Sequence, residues 1–196
     1  GDEYHHSFTL FNNYICPPLP SCLDMSDLGY QDPSECLDMY DQEDYAFLQS
    51  FIDGNPCLGT DPLLVGDQEW EDGRLVDFIL AGHSINSCEY EDIANIPEEI
   101  GNLSELRHLQ IVYTGIESVP VGLCGLDNLT YLSLYHGEIA SIPECIGDLN
   151  ITYLDLGHNQ LTTLPASILD LNLTSFYLND NNFASLPESI GSLSSL

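Results

Sequence analysis

Leu173-Thr174-Ser175-Phe176-Tyr177-Leu178-Asn179-Asp180-Asn181-Asn182-Phe183, followed by Leu186-Pro187-Glu188-Ser189-Ile190-Gly191-Ser192-Leu193, is one turn of a repeat that runs through the second half of the chain. Its opening phrase recurs upstream as Ile151-x-x-Leu154-x-Leu156, Leu129-x-x-Leu132-x-Leu134 and Leu106-x-x-Leu109-x-Ile111. Pro97, Pro120, Pro143, Pro165 and Pro187 keep the same beat, 23, 23, 22 and 22 residues apart. A period of that length denotes a solenoid, because one such unit cannot bury its apolar face alone and neighbours must stack on it. Within each phrase apolar and polar residues alternate, the period-2 pattern of a short strand with one buried face. The proline of each unit forbids a central strand, so the return path is irregular or a short helical turn. The expected fold is an α/β solenoid, with a parallel β-sheet on the concave face and irregular or short helical segments on the convex side.

Three residues beyond the strand stand Asn159 and Asn181, at a place filled by Thr114 and Gly137 in the two earlier units. An amide there pairs with the backbone of a tight turn, so stacked copies predict an asparagine ladder that Thr114 and Gly137 weaken. The complete pattern, LxxLxLxxNxL and then (I/L)PxxIGxL, resembles the leucine-rich-repeat family over about residues 75–196. Two units are one residue short, since Leu149-Asn150-Ile151 and Leu171-Asn172-Leu173 lack a residue present in Leu126-Asp127-Asn128-Leu129. A degenerate first unit, Leu75-x-x-Phe78-x-Leu80-x-x-His83-x-Ile85, precedes the next by 31 residues, an insertion that carries Cys88, Glu89, Glu91 and Asp92. Terminal units of solenoids are atypical because one side faces water. Leu196 opens another phrase with no polar cap, which predicts either more chain or a covering molecule.

Ahead of the array, residues 1–40 form an extended acidic, cysteine-containing arm, in which Phe8-Thr9-Leu10-Phe11 begins a β-prone stretch. Residues 41–74 are expected to be a helical N-terminal cap, and 75–196 the repeat array. In the cap, Ala46, Phe47, Leu48, Phe51 and Ile52 suit one helix over Glu43–Asp53, capped by Asp41 or Asp44 and stopped by Gly54-Asn55-Pro56. Trp70 to Val76 resembles the passage from cap to first strand in extracellular leucine-rich-repeat proteins, whose caps also begin with a short helix. Cys16, Cys22, Cys36, Cys57 and Cys88 precede the regular units and read as staples formed in an oxidising compartment. Cys124 and Cys145 lie on the return segments of adjacent units, either bridged or as two buried thiols. The total of seven leaves one thiol free or bonded between molecules.

Charge narrows the partners. The chain has 32 acidic residues against Arg74 and Arg107, no lysine, and a net charge of −30. Phosphate binding needs lysine and arginine to displace counterions, so nucleic acid and anionic lipid surfaces are poor partners. Twenty of the acids precede residue 93, and they read as a solvated surface or a diffuse field for divalent cations. Asp67-x-Glu69-x-Glu71-Asp72-Gly73 places its glycine one residue late for a calcium loop. No apolar run is long enough to span a bilayer. Gly1-Asp2-Glu3 carries no leader signature, so any export signal has been removed or precedes this sequence.

Four N-x-S/T acceptors occur, at Asn102, Asn128, Asn150 and Asn172, the last three in one column before the strand. In related extracellular repeat proteins this position carries N-glycans; the alternative is an asparagine that serves the turn alone. The strand positions facing away from the core form four columns: His108, Tyr131, Tyr153, Ser175; Gln110, Ser133, Asp155, Tyr177; Val112, Tyr135, Gly157, Asn179; and Tyr113, His136, His158, Asp180. Tyr113, Tyr131, Tyr135, Tyr153 and Tyr177 with His108, His136 and His158 mark this concave face as the binding face, since tyrosine gives large contact area at low entropic cost. His136 and His158 alone make a weak metal site. No catalytic set or phosphate loop is legible, and neither cofactor nor metal is expected. The sequence thus points to an extracellular, non-enzymatic, N-glycosylated recognition or adhesion module for a protein or glycan ligand. Two other readings stand beside it: a structural subunit that binds copies of itself through the uncapped edge into a filament, and a cytosolic scaffold, since the LPxxIGxL repeat also occurs in intracellular members.

Overall fold

The computed structural model describes residues 40–82, 88–89, 92–185 and 190–191. The N-terminal arm with Cys16, Cys22 and Cys36, the His83-x-Ile85 pair and the edge at Leu196 lie outside the described residues. Among those described, six strands form one sheet in sequence order: β1 (Asp67–Glu71), β2 (Arg74–Ala81), β3 (His108–Val112), β4 (Tyr131–Ser133), β5 (Tyr153–Asp155) and β6 (Ser175–Tyr177). From β2 onward the pairing is parallel, and its register runs Phe78, Leu109, Leu132, Leu154, Phe176 along a single core row. This is the row that the repeated phrase predicts.

Four units return through a 3₁₀ turn that starts directly after the proline: Glu98–Asn102, Val121–Gly125, Glu144–Asp148 and Ala166–Asp170. Proline suits that place because the N–H it lacks has no partner at a helix start. One apolar residue per turn, Ile100, Leu123, Ile146 or Ile168, points back at the sheet. With the strand leucines these form one continuous hydrophobic core, in which Leu106, Leu109, Leu129, Ile151, Leu154 and Leu156 are wholly buried. Adjacent turns approach so closely that a Cβ on Gly122 would overlap the Glu98 carbonyl. Cys124 and Cys145, on neighbouring turns, are joined by a disulfide with Cα atoms 5.8 Å apart.

The asparagine ladder is present. Asn159 Nδ2 donates to the carbonyls of Leu134, Leu156 and Gly157, while its Oδ1 accepts the Ile139 N–H at 3.0 Å. Asn181 repeats the arrangement one unit on, reaching Leu161 N–H and the Leu156 and Leu178 carbonyls. Each amide therefore serves the unit before its own. Gly137 leaves the opening through which Asn159 reaches back, for a Cβ there would stand 2.9 Å from Asn159 Oδ1.

Helix α1 (Gln42–Gly54) covers the start of the core with Phe47, Leu48, Phe51 and Ile52, and Phe47 and Phe51 meet Phe78 edge-on. Asp41 caps it, accepting the N–H groups of Glu43 and Asp44. Ala46, counted in the apolar set from sequence, is exposed. Asp44 has a different part: wholly buried, it receives Arg74 at both oxygens (2.9 and 3.0 Å) and the Leu75 N–H at 2.8 Å. Asn55 ends the helix and latches the later insertion, donating to the Asn95 carbonyl and accepting from the Ala94 and Asn95 N–H groups. A second disulfide ties Cys57 to Cys88 across the same seam.

Candidate functional site

Parallel register makes columns out of alternate strand positions, because every second side chain points away from the core. Asp77, His108, Tyr131, Tyr153 and Ser175 share one column, and Ile79, Gln110, Ser133, Asp155 and Tyr177 the next. Their rings form a lane across the rungs. His108 meets Tyr131 edge-on at 5.6 Å, Tyr131 stacks on Tyr153 at 4.2 Å with 6° between planes, and Tyr153 meets Tyr177 at 5.5 Å. Burial in this stack raises the Tyr153 pKa, and the hydrogen bond with Tyr131 adds to it. His108 Nδ1 lies 2.9 Å from Asp77 Oδ1 at the lane's near end. Ile79, His108, Gln110 and Tyr131 line a shallow depression of about 190 Å³.

A second lane runs beside the first. Tyr113 and Tyr135 pack edge-on at 5.4 Å, Tyr135 meets His158 at 5.0 Å, and His136 stacks on His158 at 5.5 Å. His158 Nε2 is 3.0 Å from Asp180 Oδ2. Desolvation, reinforced by the neighbouring His158, lowers the His136 pKa. Burial raises that of Tyr135, helped by Tyr113.

The structure corrects the column map in two respects. Tyr135, Gly157 and Asn179 lie past the ends of β4, β5 and β6, and Tyr113, His136, His158 and Asp180 are not strand residues either; they sit in the turn that follows, with φ of 55°, 59°, 54° and 54°. This left-handed conformation costs a residue with a Cβ about 1–2 kcal/mol. It is held by backbone bonds that continue the ladder past the strands, from Tyr113 N–H to the Tyr135 carbonyl, His136 N–H to Gly157 and His158 N–H to Asn179. Secondly, Val112 and Ser133 are buried, 4 % exposed each. The tall rings on either side close over small neighbours on a concave surface.

Asp155 lies in the column between the lanes, a place that its strand position foretold without marking it as functional. One carboxylate oxygen accepts the Gly157 N–H at 2.9 Å, and among the described residues the other accepts no hydrogen bond. A Cβ on Gly157 would meet Asp155 Oδ1 and the Tyr135 ring, so glycine is what lets the three groups share this spot. Desolvation raises the Asp155 pKa, against the lowering effects of the Gly157 N–H and His158. A carboxyl whose pKa is higher folded than unfolded binds its proton sooner in the native state, so ionised Asp155 opposes folding at neutral pH. Asp155→Asn, which keeps the acceptor for Gly157, should therefore raise the urea midpoint at pH 7. That gain should shrink as pH falls through the raised value toward the usual carboxylate range near ~4. Midpoints that stay equal throughout would disprove it.

Asn102, Asn128, Asn150 and Asn172 are all exposed. Asn128 Nδ2 donates to the Ser104 carbonyl and Asn150 Nδ2 to Asp127, each at 2.8 Å. The hydroxyls of Thr130, Thr152 and Thr174 donate in turn to the carbonyls of Arg107, Thr130 and Thr152. Among the described residues no group of three or more His, Cys, Asp or Glu is placed to hold a metal, and no helix is long and apolar enough to cross a membrane.

Comparison with known proteins agrees with this geometry. The family pattern described as leucine rich repeat matches residues 104–161, and a second pattern of the same description matches 172–193. A disease resistance protein of Arabidopsis thaliana is 36% identical over 66 residues, 34% of this chain and only 7% of its own length. Among solved structures, a leucine-rich-repeat protein of Leptospira interrogans superposes with a TM-score of 0.53 at 29% identity, over 62% of this chain and 36% of that one. The leucine-rich-repeat ectodomain of an Arabidopsis thaliana receptor kinase reaches 0.58 at 23% identity, over 80% and 90% of the two chains. A plant ice-binding protein reaches 0.60 at 20%, over 79% and 54%. The last two share the fold alone. With leucines in one core row, a turn after each of four prolines and an asparagine ladder, residues 104–161 and 172–193 are leucine-rich repeats, and the fold they build is a leucine-rich-repeat solenoid.

Proposed function

We propose that this chain is a non-enzymatic recognition module, exported from the cell, whose concave sheet face holds a protein or glycan ligand. The observation that carries this reading is the pair of aromatic lanes, eight tyrosine and histidine rings set on the strands and on the segments just past them in consecutive units. Rings held by packing lose little freedom on binding, and such residues dominate interface energies. Two disulfides support an oxidising compartment. The four exposed acceptor asparagines support N-glycosylation along one flank, and an amide that carries a glycan keeps one N–H for the carbonyl it now contacts.

Selection from a displayed library of random peptides, with the oxidised protein as bait, tests the binding face. Binders should lose at least about tenfold in affinity to the Tyr131→Ala, Tyr153→Ala double variant. They should be indifferent to Val121→Ser, which alters an exposed side chain on the convex side. Binders that ignore the tyrosines would place the ligand face elsewhere. Export and glycosylation are tested by intact mass of the natural protein, with and without glycosidase and reductant. A bare mass of 21.7 kDa for this segment, with every thiol free, would overturn both.

A further inference from the structure

The acidity of this chain is hardly neutralised from within. Its only two arginines are both engaged, Arg74 with Asp44 and Arg107 with Glu71, and it has no lysine. Asp77, Asp155 and Asp180, three of the carboxylates on the concave side, differ in their company. Asp77 has His108 and Asp180 has His158. Asp155, between the lanes, has the Gly157 N–H on one oxygen and, among the described residues, nothing on the other. It is also withdrawn from water among tyrosine rings, which is why its charged form is disfavoured. A half-buried anion of this kind gains most from a cation brought by a ligand. A transition-metal ion would ask for several such side chains together, and among the described residues no three His, Cys, Asp or Glu are grouped to hold one. A guanidinium or ammonium asks only for the carboxylate and for aromatic faces nearby.

We propose that the ligand of this face is a basic, extended segment of a partner protein, which seats an arginine or lysine side chain on Asp155 between the tyrosine lanes. This rests on the concave face being the ligand face, and it goes further by naming the partner's chemistry and the residue that anchors it. Arginine fits better than lysine, because its flat group stacks on a ring while its fork meets the carboxylate. The surrounding negative field draws such a segment in from a distance and speeds its association at low salt.

A chain this acidic attracts any polycation, so the test must separate the seat from the field. The probe is a fluorescent alternating Gly–Arg peptide, with Gly–Lys and Gly–Glu counterparts, titrated by polarisation at about 0.15 M salt, where charges beyond ~8 Å are screened. The Gly–Arg peptide should bind most tightly, Gly–Lys less so, and Gly–Glu not at all. Asp155→Asn, whose fold is expected to be at least as stable as the parent's, should weaken Gly–Arg binding by about tenfold or more. Glu144→Gln removes the same charge from an exposed convex site and should change affinity by no more than about twofold. Equal losses from the two variants would overturn the inference, leaving diffuse attraction only. Library binders that need Tyr131 and Tyr153 yet are neutral or acidic would also overturn it, while the ligand face itself survived. If Gly–Arg binding ignored Asp155 and the library binders ignored the tyrosines, both proposals would fall.

Discussion

Arg74→Ala is expected to lower the free energy of unfolding by about 3 kcal/mol, toward the lower end for breaking a buried ion pair because the arginine keeps some contact with water. Asp44 is wholly buried, and without Arg74 its carboxylate would retain only the Leu75 N–H as a described hydrogen-bond partner. Arg74 also donates to the Asn102 carbonyl and to Ser104 Oγ, so one side chain joins α1, β2 and the first return turn. Its loss should loosen the cap from the array as well as destabilise the whole. Urea titration followed by tryptophan emission would register it, since Trp70 lies on β1 beside this junction. The paired change Asp44→Leu, Arg74→Met should recover much of the stability, because an apolar pair carries no desolvation cost. A loss below about 1 kcal/mol from Arg74→Ala would show that water replaces the guanidinium without difficulty.

Asn159→Ala should cost about 2–3 kcal/mol, because it strands the Ile139 N–H in a dry turn and strips partners from three carbonyls at once. Asn159→Asp separates the two roles of the amide. The acid keeps an acceptor for Ile139 but turns a donor into a charge facing the carbonyls of Leu134, Leu156 and Gly157. It should be at least as damaging as alanine at neutral pH and recover as pH falls and the carboxyl protonates. Asn181→Ala should cost less, since Asn181 is only half-buried and water can reach the groups it leaves. Equal effects at 159 and 181 in chemical denaturation would count against this account.

The repeat announced itself because its signal is periodic. Leu109, Leu132, Leu154 and Phe176 could be aligned by spacing alone, and alternation then assigned the outward columns that contain His108, Tyr131, Tyr135, Tyr153 and Tyr177. Features that depend on one meeting between distant residues had no such signal. Asp44 and Arg74 are 30 positions apart, and nothing local distinguishes Asp44 from Asp41, which does cap the helix. Strand β1 was obscured by its charges, although Glu71-Asp72-Gly73-Arg74 carries the Asp-Gly pair that favours a tight hairpin. Both central residues have positive φ there, 49° and 80°. The left-handed turn of Tyr113, His136 and His158 was hidden for the opposite reason: such bulky residues are poor candidates for positive φ, and only the ladder between neighbouring rungs holds them so. Which oxygen of Asp155 lacks a partner is a matter of packing, and no spacing rule reaches it.

The two disulfides among the described residues also determine how this part of the molecule answers a pull. Cys57 and Cys88 close a span of 31 residues, and Cys124 and Cys145 one of 21. While oxidised, these loops withhold roughly 110 Å and 70 Å of contour from a stretched chain. Described coils outside the clasped spans would peel away first, and a reductant would release the slack held by these two bonds in separate lengths.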